Sequence, residues 1–409
     1  MSISTTSEAP APRFAAASLI AVIFINMLGF GIIVPLLPFY AKSFNAAPWQ
    51  IGLIFGAYSV GAFFGEPFWG RLSDRYGRKP LLISTITGNC LCYLALAFAP
   101  NIWVAFFIRL VGGLAAGNGA VVQGYIADVT PRKGGRGRCP IRRSLECGSD
   151  YWSVRRRVFA HTGMGPAGFR IPLFIASGLA ALCVIAIAIV IKESRVRDTA
   201  ISHRPSRWSA AGEVARHPVI GRMMLLTFLV GFAFTGIESQ FGLWSQARFD
   251  WGPRNIAVCF AFTGITAFFT QTLLTGRLSE RYGEGAMLAT GMAITALAAA
   301  LQVFSLNGHM TIALMCLTAA GQSVAFPNVG AIISRTVDPH RQGQILGLNN
   351  AAGALARVVG PIFAGLMVPV VRDGPFILGA LVVAPAILLA LSATRRATAK
   401  PDPYANPGA

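Results

Sequence analysis

Ten residues, Gly70-Arg71-Leu72-Ser73-Asp74-Arg75-Tyr76-Gly77-Arg78-Lys79, stand between two long apolar runs. A near copy, Gly276-Arg277-Leu278-Ser279-Glu280-Arg281-Tyr282-Gly283-Glu284-Gly285, stands between two others 206 positions later. A charged hairpin that recurs at half the chain length means two copies of one membrane-embedded unit. The hairpin chemistry suits a membrane surface. Its glycines allow tight turns beside packed helices, and Arg and Lys hold the loop on the cytoplasmic side. The lone acid, Asp74 or Glu280, can pair with those cations or face a helix N-terminus.

The rest of the chain agrees. Of 409 residues, 54% are hydrophobic and 12% charged, too apolar for a soluble domain of this size. The apolar residues gather into runs of about 20, the length that crosses roughly 30 Å of hydrocarbon. The net charge of +19 lies in short loops between those runs. That is membrane topology, and it argues against nucleic acid as a partner. Seven cysteines show no metal spacing; five (Cys90, Cys92, Cys183, Cys259, Cys316) lie in apolar runs as small hydrophobes. The first 13 residues are polar and small and the first apolar run is long enough to span, so no cleavable leader is expected. No nucleotide-binding loop, metal cluster or nucleophile arrangement is present, so neither an enzyme nor ATP-driven transport is expected, and no cofactor or metal.

The stretch from Gly70 to Lys79 resembles the loop between helices 2 and 3 of the major facilitator superfamily, whose G-x-L-x-D-R-x-G-R-K pattern is nearly complete here. The resemblance implies an all-α membrane protein of major facilitator fold, two six-helix bundles with twelve spans. It makes Gly70, Asp74, Arg75, Gly77, Arg78, Lys79 and, in the second copy, Glu280 the gating-loop residues. Further features resemble the drug:proton antiporters, tetracycline efflux proteins in particular. Span 1 (about 14–41) carries Asn26-Met27-Leu28-Gly29-Phe30-Gly31 with Pro35 and Pro38; the tetracycline exporters have an acid where this chain has Asn26. The run from Gly117 to Thr130 resembles them again. Arg109, with Gly113 four residues on, resembles the helix-4 arginine linked to proton movement.

Spans 2, 3 and 4 fall near 50–69, 80–99 and 102–127, span 6 near 171–191, and spans 7 to 12 near 220–246, 255–275, 286–306, 310–334, 343–369 and 376–394. A first bundle is therefore expected over residues 1–192, a basic linker over 193–217, a second bundle over 218–396 and a polar tail over 397–409. Arg and Lys concentrate after spans 2, 6, 8 and 10 and in the tail, while the loops after spans 3 and 9 have none. With twelve spans, both termini are cytoplasmic in a multi-pass protein of the plasma (inner) membrane.

The fifth span is missing. Residues 132–157 hold nine Lys and Arg against Glu146 and Asp150. At roughly 2.5–3.5 kcal/mol per central charge, that block cannot cross a bilayer as an isolated helix. In the second half, Pro339 precedes span 11, which carries Gly360-Pro361. Pro131 matches Pro339, so a Gly-Pro should begin at position 152, where Trp152-Ser153 stands. Read one nucleotide later, the codons of Asp150 and Tyr151 give only Ile or Thr, and Trp152 before a serine must give Gly. Ser153 can give Pro, and Arg156 and Arg157 can give Gly. The restored string resembles the helix-5 antiporter motif, so residues 132–161 read as a local frameshift, the alternative being a genuine basic loop in a divergent protein.

Glu238 is the acid best placed inside a span and Glu66 the second; with Arg109 they are the candidates for proton coupling. A carboxyl in low dielectric is poised to trade a proton as a cavity alternates. Each has a plainer reading: Glu238 as a hydrogen-bonded structural acid, Glu66 as part of the hairpin network, Arg109 as an interface cation. Asn26, Gln123, Gln240, Gln271, Gln322 and Asn328 are polar within spans, and each could line a substrate path or bridge helices. The function expected is proton-coupled efflux of small amphipathic drugs, tetracycline-like antibiotics the best guess, by a monomer using the proton gradient. The alternatives are a damaged or non-transporting relative, or an exporter of an unrelated metabolite.

Overall fold

The computed structural model describes residues 33–116, 168–190, 217, 219–337 and 342–399. Within them every regular element is a helix: α1 (Ile33–Lys42), α2 (Pro48–Tyr76), α3 (Arg78–Leu96), α4 (Ile102–Ala115), α5 (Arg170–Val190), α6 (Ile220–Phe249), α7 (Pro253–Tyr282), α8 (Glu284–Gln302), α9 (Gly308–Thr336), α10 (Gln342–Met367) and α11 (Gly374–Ala399). Nine of these described helices are long and apolar enough to cross a membrane; α1 and α4 are shorter. The expected span 5, the linker, most of span 1 and the second half of span 4 lie outside the described residues, as do Asn26 and Gln123.

The repeated hairpin takes a tighter form than its sequence suggests. The expected loop residues 70–76 continue α2 without a break, and Gly77 alone separates it from α3. Nothing in Arg-Leu-Ser-Asp-Arg-Tyr breaks a helix, so the turn falls on the first glycine after it. Gly77 has φ 101°, a conformation a side chain would strain, and its N–H donates to Ser73 O. The second copy repeats this in detail. Gly283 has φ 83°, its N–H donates to Ser279 O, and Arg75 and Arg281 each lie 5.4 Å from the ring centroid of the following tyrosine. The sequence repeat is a structural repeat.

Helix starts follow local chemistry. Asn101 and Asn307 cap α4 and α9 by accepting N–H bonds from Val104 and Met310. Gln50 reaches back to the Ala47 N–H at the head of α2, and proline stands in the first turn of α2 and α7. One feature has no counterpart in the sequence pattern: Thr270–Thr275 of α7 forms a π turn, with Thr275 Oγ1 donating to Thr270 O and reaching Ser323 O on α9.

Among the described helices, α2, α3, α4 and α5 pack on one another, as do α6 to α11. The two groups meet where α2 crosses α10 and, less extensively, α6. Small residues make the crossing close. A Cβ on Gly52 would collide with the Pro361 carbonyl, and one on Gly365 with the Pro48 carbonyl. Close contacts also run from Gln240 Nε2 to Pro48 O (3.3 Å) and from Lys42 Nζ to Gln246 Oε1 (2.7 Å). All of these lie towards the membrane face opposite the two hairpins, so the halves are shut at that end.

Candidate functional site

The α2–α10 crossing also fixes where charge is placed. Gly56 packs against Val358 on one side, and Gly231 of α6 against Ala356 on the other, so Arg357 stands between α2 and α6 in the middle of α10. Arg357 Nη1 would lie 3.6 Å from a Cβ on Gly353, which shows that the side chain folds back along its own helix towards the hairpin face. It remains solvent-accessible. Its charge acts on Glu66 most, then on Tyr58, both on α2, and then on Glu238 of α6. Glu66 lies ten residues beyond Gly56, about 15 Å nearer the hairpins. Glu238 lies seven residues beyond Gly231, about 10 Å in the opposite direction. A single cation therefore stands between two half-buried carboxylates at different depths, one from each half.

The array continues into the first half through Tyr58. Its ring lies under the Arg109 guanidinium, 4.6 Å from centroid to Cζ, a cation–π geometry. Tyr58 feels the charges of Arg109, Glu66 and Arg357 together. Arg109 is 5% exposed, so it is a buried residue, not a snorkelling interface cation. Gly113 is what lets α4 come this near: a Cβ there would collide with the Tyr58 carbonyl. Arg109, Glu66 and Glu238, three separate signals in the sequence, thus lie within the electrostatic reach of Tyr58 or Arg357. Sequence reasoning passed over both, although the rule that singled out Arg109, a cation in mid-span, applies equally to Arg357.

The polar residues expected along a substrate path divide. Gln240 is fully buried, with Nε2 on the Pro48 carbonyl and Oε1 without a partner. Gln322 is buried with its Nε2 unpartnered, and Gln271 lies in the π turn of α7. Asn328 is used up at the hairpin end: Nδ2 donates to Val324 O, and Oδ1 meets Ser279 Oγ at 3.0 Å. It fastens α9 to the second hairpin. In the first hairpin, Arg78 is buried with Nη1 2.6 Å from Ser73 Oγ, and Lys79 Nζ donates to the Ala188 carbonyl at the end of α5. Gly70 continues α2, and Glu280 lies within the helical close of α7. The Asp74 side chain lies outside the described residues. Among the described residues no group of His, Cys, Asp or Glu could hold a metal ion.

An all-helical, multi-pass protein with charge gathered between its two halves has the build of a membrane transporter. The family model of the Major Facilitator Superfamily matches residues 19–138 and 260–408, and the chain belongs to that superfamily. It is a transporter of small molecules, not an enzyme. It is 26% identical to multidrug resistance protein 2 of Bacillus subtilis (strain 168), over 89% of this chain and 91% of that one. It is 27% identical to the class C tetracycline resistance protein of Escherichia coli, over 83% and 85%. The fold is similar to that of the human organic anion transporter MFSD10, with TM-score 0.67, 20% identity and coverage of 93% and 100%. It is also similar to the nucleoside transporter NupG, with TM-score 0.74, 13% identity and coverage of 93% and 99%.

Proposed function

We propose that this chain is built as a proton-coupled exporter of small amphipathic drugs, tetracycline-like antibiotics first among them, working in the plasma membrane as a monomer with hairpins and termini on the cytoplasmic side. The observation that carries this reading is the line Arg109–Tyr58–Glu66–Arg357–Glu238, which crosses the seam between the halves. Arg357 can pair with either acid, and a proton on one of them frees the cation for the other. Movement of the halves changes which acid the cation faces, so proton release is tied to the face on which the cavity opens. The drug resistance proteins among its relatives support the substrate class. The test uses vesicles with an imposed proton gradient and a frame-restored chain. Tetracycline should be driven against its gradient, and Glu238→Gln should leave binding while abolishing the response to the gradient. Uptake in the variant that still follows the gradient would overturn the assignment of Glu238.

A second reading is favoured by the nine cations between residues 132 and 157: the chain as written is a damaged copy of such an exporter. Drug susceptibility of a pump-deficient host expressing the written and the restored chains separates the two.

A further inference from the structure

At the Arg109 end of this line, α2, α3 and α4 border a cavity of about 10 Å³ whose lining includes Tyr58, Asn89, Cys92, Tyr93, Arg109 and Gly112. Two buried polar atoms on it have no hydrogen-bond partner, Arg109 Nε and Asn89 Oδ1. Their residues are 5% and 3% exposed. One atom can only donate and the other only accept, yet they are not bonded to each other. The space is about what one water needs.

We infer that a single internal water occupies this cavity, accepting from Arg109 Nε–H and donating to Asn89 Oδ1. It joins α4 to α3 at the residue whose guanidinium covers Tyr58. The competing occupant is a small anion. The side chains lining the cavity beside Arg109 include Tyr58, Tyr93 and Cys92, none of them a carboxylate, and a buried cation with no acid beside it attracts anions. Asn89 Oδ1 decides against one: an anion would face its lone pairs, whereas a water satisfies both orphaned atoms at once. Asn89 thereby holds Arg109 through an exchangeable link and not through a fixed ion pair.

The test is a structure of the full chain at a resolution that shows waters, together with a second crystal soaked in bromide. The expected result is one spherical peak within about 3 Å of both atoms, with no anomalous signal after the soak. In Asn89→Leu, which removes the acceptor and fills the space, the peak should vanish while other internal waters stay. An empty cavity, a bromide signal at the peak, or a peak that survives in Asn89→Leu would each overturn the inference. Should the variant fail to fold, the native density and the bromide soak decide the matter alone.

Discussion

Arg357 shows what one residue can set. Its charge reaches acids from both halves, Glu66 and Glu238, and the phenol of Tyr58. A cation that passes between two acids cannot be replaced by a neutral side chain. Arg357→Gln in a frame-restored chain is therefore expected to abolish proton-driven exchange, and Arg357→Lys should restore part of it by keeping the charge. The measurement is gradient-driven drug uptake at equal protein levels; uptake unchanged in Arg357→Gln refutes the assignment. At this scale the sequence was half legible. An acid or a cation inside an apolar run is visible because its burial is costly, which is how Glu238, Glu66 and Arg109 stand out. What joins them is not visible. Tyr58 reads as an ordinary aromatic residue, and only the approach of α4 permitted by Gly113 brings Arg109 over its ring.

Among the elements, the crossing of α2 and α10 has the least room to spare. Gly52 faces the Pro361 carbonyl and Gly365 the Pro48 carbonyl, neither leaving space for a Cβ. Gly52→Val is expected to wedge the helices apart at the end away from the hairpins, favouring the state open on that side. Spin labels in place of Lys42 and Gln246, whose side chains touch at 2.7 Å, should read a longer distance in that variant; an unchanged distance distribution would contradict a seam closed by these glycines. A second device fixes the same end of the molecule. Asp373, before α11, accepts from Trp244 Nε1 at 2.6 Å and Arg248 Nη1 at 3.1 Å. The indole bond is the stronger contribution, because hydrogen bonds to a charged partner count for about 1.5–3 kcal/mol, whereas a partly exposed ion pair gives about 1 kcal/mol or less. Asp373→Ala, which removes both bonds, should lower the unfolding midpoint in detergent at least twice as far as Arg248→Ala, which removes only the ion pair, and nearly equal shifts would overturn this ranking. Helix positions were legible from apolar periodicity and length. The one-residue turn at Gly77 and the π turn in α7 were not, since both depend on where a continuing helix meets its neighbours and not on composition.

At the scale of the whole molecule, the repeat at 70–79 and 276–285 foretold two related halves, and the matching geometry of Gly77 and Gly283 bears out that kinship. The remaining question belongs to residues 132–161, which lie outside the described part of the structure. Nine cations in 26 residues cannot cross a bilayer as an isolated helix at roughly 2.5–3.5 kcal/mol for each central charge. Losing one crossing would invert every later span, and the basic loops after spans 6, 8 and 10 resist that inversion. A chain without that crossing would also lack the Gly-Pro-x-x-Gly-Gly surface whose small residues would let a neighbouring helix approach. The written chain is therefore expected to confer little or no drug resistance, while restoring the frame between codons 131 and 162 should give a twelve-span exporter. The two chains expressed side by side in a pump-deficient host decide it. Equal tetracycline resistance at equal protein levels would mean that the basic segment is native to the protein and that the first half closes around it by some other packing.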